Sequence, residues 1–216
     1  MQVYCMQRTL HMAPQSLVSR RALCRKWLTG ALPMLCLAIW SAAASAAPHS
    51  QLADASLWPR LQQATWVMQG AHRPGHLIYV VTDANCPYCH DLWLSLQPLY
   101  AQGLQVRYLL VGIIASDSPG KAAAILEAGD PSAALDKNER EWARLPDDLG
   151  GGIPPLKAPR PATLAALRAN EQLMHELGVR GTPALIYRGA DRAMHVVQSA
   201  SDPQTLKSIV SAAAAN

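Results

Sequence analysis

The sequence predicts an α/β domain, and three observations carry that prediction. Leu77-Ile78-Tyr79-Val80-Val81 is a short, β-branched and nearly continuous apolar run, the pattern of a strand buried on both faces. Residues 91–99 read as a helix, and residues 104–114, rich in Val, Leu and Ile, as the next strand. A strand, helix and strand of these lengths form a βαβ unit.

The flanking elements follow from spacing and breakers. In residues 57–68 the apolar positions Leu57, Leu61, Ala64 or Thr65, and Met68 have helical spacing, which predicts a helix ended by Gly70. Arg73-Pro74-Gly75 is a turn. The middle of the chain is helical over 121–128 and 132–144, divided by Gly129-Asp130-Pro131. A loop follows from Leu149 through Gly150-Gly151-Gly152 to Pro155, then a helix over 162–177 stopped by Gly178. Residues 180–187 are a strand introduced by Pro183. Arg188-Gly189-Ala190-Asp191 turns the chain into a partner strand at 193–197, and 203–215 is a closing helix. There is no internal repeat.

The first 46 residues read as an export signal. Arg20, Arg21, Arg25 and Lys26 form a basic head, residues 27–40 are apolar and uncharged, and Ala44-Ser45-Ala46 fits a small-x-small cleavage site. The mature chain is expected to begin near Ala47 and to work in the periplasm. An uncleaved run could instead just span a bilayer, and Ser19-Arg20-Arg21-Ala22-Leu23 loosely resembles a twin-arginine signal. Leu35 before Cys36 argues against a lipid anchor.

Removing the signal reverses the charge. The full chain carries +4, but none of its 15 Asp and Glu and 5 of its 19 Lys and Arg precede Ala47. The remaining 14 basic and 15 acidic groups leave a formal charge of −1, so nothing predicts a nucleic-acid surface. A mature chain of about 170 residues is long enough for one domain with a real core.

Three of the five cysteines, Cys5, Cys24 and Cys36, leave with the signal, so Cys86 and Cys89 stand alone in an oxidising compartment. A bridge across two residues closes too small a loop to stabilise a fold much. The pair therefore points to chemistry. A cysteine placed after a strand and at the first turn of a helix meets unsatisfied backbone N–H groups, which favour thiolate over thiol. Pro87 suits that first turn, because its missing N–H costs nothing there. Residues three apart are helical neighbours, so Cys89 comes within disulfide reach of Cys86. Cys86 is expected to be the exposed nucleophile and Cys89, one turn deeper, the resolving thiol. If the Cys86 pKa fell by about 3, the thiolate would gain roughly 4 kcal/mol and the disulfide would become a stronger oxidant by roughly 90 mV.

The cysteine motif admits two cofactor readings. Zinc needs four ligands, and no second cysteine pair exists. Cys86-Pro87-Tyr88-Cys89-His90 satisfies the c-type haem attachment pattern, but its setting between a buried strand and a proline-led strand is that of an α/β redox domain. The expectation is no metal and no cofactor. His90 is then either a partly exposed helix residue that favours the thiolate electrostatically or a surface histidine.

At these residues the chain resembles the DsbG and DsbC family of periplasmic thiol–disulfide interchange proteins, with DsbG closer. The run ending Cys86-Pro87-Tyr88-Cys89 has the DsbG dipeptide. Leu110-Val111-Gly112-Ile113-Ile114 with Ala122-Ala123-Ala124-Ile125-Leu126, and Asn170 through Ala184, resemble further family segments. Trp58-Pro59-Arg60-Leu61 through Trp66 resembles the linker helix of that family. The resemblance implies a thioredoxin fold with an inserted helical subdomain at about 117–177, within a catalytic domain over 71–216 that follows an N-terminal segment and linker helix at 47–70. It also implies a cis Thr182-Pro183 facing the cysteines, with Pro87, Tyr88, His90, Thr182 and Pro183 around a redox-active Cys86–Cys89 disulfide. The implied activity is exchange with disulfides or sulfenic acids of envelope proteins, as isomerase or reductase, with a membrane redox partner of the DsbD type. Only about ten residues separate the expected cleavage site from the linker helix, so the family's N-terminal dimerisation domain is expected to be missing and the protein to be a monomer. A monomer opens the alternative of a disulfide oxidase. A chaperone that holds clients with its cysteines incidental is the non-enzymatic alternative.

Overall fold

The computed structural model describes residues 50–145, 148–200 and 202–215. The expected export signal and cleavage site lie outside the described residues. Among the described residues no helix is long and apolar enough to cross a membrane.

The elements run β1 (Ser50–Ala53), a 3₁₀ turn (Ala55–Leu57), α1 (Trp58–Gln63), β2 (Val67–Gly70), β3 (His76–Asp83), α2 (Pro87–Tyr100) and β4 (Leu104–Val111). Then follow α3 (Ser118–Leu126), α4 (Pro131–Arg140), β5 (Ala143–Leu145), β6 (Asp148–Gly150) and α5 (Pro161–Glu176). The chain closes with β7 (Ala184–Arg188), β8 (Met194–Gln198) and α6 (Pro203–Ala212). Six strands form one mixed sheet in the order β1-β8-β7-β3-β4-β2, and β5 and β6 form a separate hairpin. β3 and β4 run parallel, as the βαβ unit requires, while β7 lies antiparallel on the other side of β3.

The central strand explains the layers. Leu77, Tyr79 and Val81 point to one face, where they join Trp58 and Leu61 of α1 and Leu173 and Met174 of α5. Ile78 and Val80 point to the other, where Leu92 and Leu96 of α2 and Leu206 and Ile209 of α6 cover them. Period-two alternation on a strand covered on both sides produces the continuous apolar run seen in the sequence.

Three expectations are corrected, and one short strand lies where none was expected. The helix predicted over 57–68 is only six residues long; Val67 to Gly70 instead pair antiparallel with β4, with Val67 and Gln69 turned inward. Leu57 and Leu61 do follow helical spacing, but Met68 belongs to an alternating strand that the longer period masked. The second middle helix stops at Arg140, and residues 143–145 pair with 148–150 as a hairpin, taking in part of the predicted loop. β4 ends at Val111 rather than 114, because the Ile113 and Ile114 N–H groups leave the ladder to donate to Asp83 Oδ2 at 2.7 and 3.0 Å. The short edge strand β1, paired with β8, has too few apolar residues to be read from sequence.

Candidate active site

The active-site geometry starts at the end of β3. Cys86 is the N-cap of α2 with extended backbone (φ −87°, ψ 113°), and Pro87 takes the first helical position. The Cys89 N–H, one of the helix's orphan donors, points at Cys86 Sγ from 3.3 Å. Across the fold, Thr182-Pro183 is a cis peptide that leads into β7. Ala184 pairs with Val81 of β3, which brings this loop over the cysteines. The Cys86 thiol donates to the Thr182 carbonyl at 3.4 Å. The pair is present as two free thiols.

The two sulfurs differ in charge preference. The Cys86 pKa is lowered from 9.0 to about 7, first by the hydrogen bond from the Cys89 side chain, with the Thr182 side chain and the Cys89 and Tyr88 backbone adding to it against burial. Cys89 is pushed well above the ordinary thiol value, first by burial and then by its hydrogen bond with Cys86. The exposure expected of Cys86 is not found. It is 2% exposed, covered by the Thr182 loop, while Tyr88 beside it is 68% exposed and marks the rim.

His90 lacks the exposure that both sequence readings gave it. It is 7% exposed, so it is no surface histidine, and its Nδ1 lies 3.0 Å from Glu139 Oε2. Its ring stacks on Trp142 at 4.8 Å and on Trp93 at 6.4 Å. Its ring is therefore held inside the fold, by Glu139 at Nδ1 and by the two indoles.

A further set of residues supports the cysteine loop from segments distant in sequence. Asp83 is fully buried and accepts four hydrogen bonds: Asn85 N–H at 2.9 Å, Ser118 Oγ at 2.7 Å, and the Ile113 and Ile114 amides. Asn85 donates to Asp117 and Ser118 and accepts from Lys121 Nζ at 2.9 Å. Ala84 O accepts from Asn138 Nδ2 and from the Gly151 amide, both at 3.1 Å. Gly151 is required there, because a Cβ would overlap the Asn138 side chain. Asp83 could have been noticed as an acid closing an apolar strand. Asn138 and Glu139 sit in the ordinary charged run Asp136-Lys137-Asn138-Glu139-Arg140, and nothing local distinguishes them.

The family model described as a thioredoxin-like domain matches residues 61–214. The chain is 32% identical over 155 residues to the thiol:disulfide interchange protein DsbG of Pseudomonas aeruginosa, covering 71% of this chain and 58% of that protein. It is 31% identical over 159 residues to DsbG of Escherichia coli, covering 73% and 62%. The chain thus spans about three fifths of the length of these relatives. Among solved structures, a periplasmic thioredoxin-like protein from Salmonella enterica superposes with a TM-score of 0.54 at 24% identity, over 68% of this chain and 88% of that one.

Proposed function

The chain belongs to the thioredoxin-like domain family and has its α/β thioredoxin fold, and from that premise we propose that it is a thiol:disulfide oxidoreductase of the DsbG type acting through Cys86 and Cys89. The observation that carries this reading is the asymmetry of the pair. One thiol caps a helix and is held near pKa 7, and its neighbour, one turn deeper, keeps its proton.

The Cys86 thiolate attacks one sulfur of a client disulfide. The client S–S bond breaks, and its other sulfur leaves as thiolate. With a client sulfenic acid the same attack expels hydroxide. Cys89 then loses its proton and attacks Cys86 Sγ, which releases the client thiolate and closes the Cys86–Cys89 disulfide. Two electrons have passed from the pair to the client. A membrane reductase of the DsbD type returns them. The backbone of the Thr182-Pro183 loop pairs with the client chain much as an added strand would, and Tyr88 packs at its side. The protein works in the periplasm after removal of residues 1–46.

The experiment is trapping. Cys89→Ala cannot resolve the mixed disulfide, so clients accumulate on Cys86; an absence of mixed disulfides in cells sinks the reading. A second direction, disulfide oxidase, is favoured by the low Cys86 pKa. A fall from 9.0 to about 7 stabilises the thiolate by roughly 2 to 3 kcal/mol. That makes the disulfide a stronger oxidant by roughly 40 to 60 mV, short of the shift assumed from sequence. Recovery of a membrane oxidase on the trap supports this direction, and recovery of a reductase with misoxidised clients supports isomerase or reductase work. Sedimentation at micromolar concentration tests the proposed monomer; a tight dimer refutes it.

A further inference from the structure

Residues 180–183 carry Thr182 over Cys86, and few hydrogen bonds hold them there. The segment leaves α5 at Gly178, where φ is +72°, and is pinned at Val179, which is buried and donates its N–H to Met174 O at 3.1 Å. It enters the sheet at Ala184, which pairs with Val81 and with Gln198. Between these anchors, among the described residues, three backbone groups have partners. The Arg180 N–H donates to Gln198 Oε1 at 3.4 Å, the Thr182 carbonyl accepts from the Cys86 thiol at 3.4 Å, and the Pro183 carbonyl accepts from the Ser199 N–H at 3.2 Å. The Gly181 and Thr182 N–H groups have no partner among the described residues.

Two of those three bonds come from one dipeptide at the end of β8. The Gln198 side-chain amide spans the segment, its Nε2 donating to Gly178 O at 3.3 Å while its Oε1 takes the Arg180 N–H. One residue of a parallel strand bonds its neighbour in this pattern, to a carbonyl and to the amide two residues on. Ser199 has φ +58°, a left-handed conformation rare for a residue with a Cβ. At that bend its N–H reaches Pro183 O. An unusual backbone angle in a residue that holds a loop over a reactive sulfur points to a role in that loop.

The third bond does not outlast the chemistry. Cys86 attacks as a thiolate, and a thiolate has no proton to give to the Thr182 carbonyl. Once Cys86 is ionised, or joined to a client, only Gln198 and Ser199 still supply backbone hydrogen bonds to residues 180–183 from this chain's described residues.

We propose that Gln198 is a positioning residue for client capture: with the Ser199 backbone it holds residues 180–183 over Cys86, so that the Gly181 and Thr182 amides meet the client chain in register. This rests on the redox reading above. Gln198 touches neither client nor sulfur; it fixes the segment that does.

Two measurements test this. In amide hydrogen exchange of the reduced wild type, Arg180 should exchange about tenfold more slowly than Gly181 and Thr182. Equal rates at the three amides overturn the proposal. That measurement needs no variant, so a variant that fails to fold leaves it decisive. In the second, Cys89→Ala protein is compared with the same protein carrying Gln198→Leu. Each reacts with scrambled ribonuclease A, whose chain can pair with the loop, and with cystamine, a small disulfide that has no peptide chain. Gln198→Leu should slow mixed-disulfide formation with the ribonuclease about tenfold and leave the cystamine rate within about twofold. A purely structural loss lowers both rates together, so equal loss on both, or loss on neither, overturns the proposal. If Cys89→Ala protein with Gln198 intact forms no mixed disulfide with either reagent, the redox reading falls and takes the proposal with it. If the ribonuclease is captured equally fast without Gln198, only the proposal falls.

Discussion

Cys86 differs from an ordinary thiol through its position at a helix start and through two close partners. The N-cap site aims a backbone N–H at its sulfur, and the Thr182 loop closes over it. Its chemistry is therefore expected to be pH-sensitive near neutrality, while Cys89 stays silent. Mass analysis after iodoacetamide treatment of reduced protein should find Cys86 modified with its main rise near pH 7 and Cys89 unmodified until unfolding. Cys86→Ser should lower reduction of a model disulfide by at least about 100-fold without changing the melt of the reduced protein by more than about 1 kcal/mol. Equal labelling of both cysteines would contradict the assigned order of attack and resolution. The cysteines themselves were plain in the sequence because a Cys-x-x-Cys after a strand is a local pattern. The covering of Cys86 was not, because the loop that covers it lies about a hundred residues away.

At the level of elements, the strand–loop–helix that carries the cysteines depends on Asp83. Its carboxylate joins the end of β3 to the turn after β4 and to the start of α3. Asp83→Asn keeps the shape but puts an amide NH₂ opposite groups that also donate. Leaving buried donors unpaired costs about 1–3 kcal/mol each, so the variant should lose roughly 2–4 kcal/mol in urea unfolding. Hydrogen exchange at the Ile113 and Ile114 amides should accelerate more than at Leu109, within β4. Unchanged exchange at 113 and 114 would show that the carboxylate does not hold that turn. The same contacts explain where sequence reading overran. An apolar run through Ile114 looks like continuing strand, and only the acceptor supplied by β3 ends it. β2 shows the reverse case. Two periods fit Leu57 to Met68, and pairing with β4 decided between them at Val67.

For the whole molecule, two buried groups make the reduced protein's stability depend on pH in opposite directions. Glu139, raised from 4.5 to about 8, keeps its proton in the folded chain where the unfolded chain has lost it. Stability therefore falls as pH rises through that window. Cys86, lowered from 9.0 to about 7, is ionised in the folded chain before the unfolded one, so its contribution is present above 9 and lost as pH falls through 7. Between about pH 5 and about pH 7 only Glu139 acts, and Glu139→Gln should flatten that interval by roughly 2 kcal/mol. Urea melts of reduced protein at both ends of the interval check this, and parallel slopes for both proteins would refute it. The core itself is ordinary. Leu61, fully buried where α1 meets the sheet, should cost roughly 2–4 kcal/mol on Leu61→Ala.

The linear chain alone was enough to specify the central strand, the helix headed by Cys86 and the proline loop that answers it. Each is written in neighbouring residues: an unbroken apolar run, a Cys-Pro start, a Thr-Pro entry into a strand. Tertiary structure alone decided that His90 is buried, that Glu139 meets it, and that Asp83 gathers four donors. The reason is physical. Burial and pairing of polar groups are set by which distant segments pack together, and a carboxylate on a charged helix looks the same in sequence whether it faces water or a cysteine.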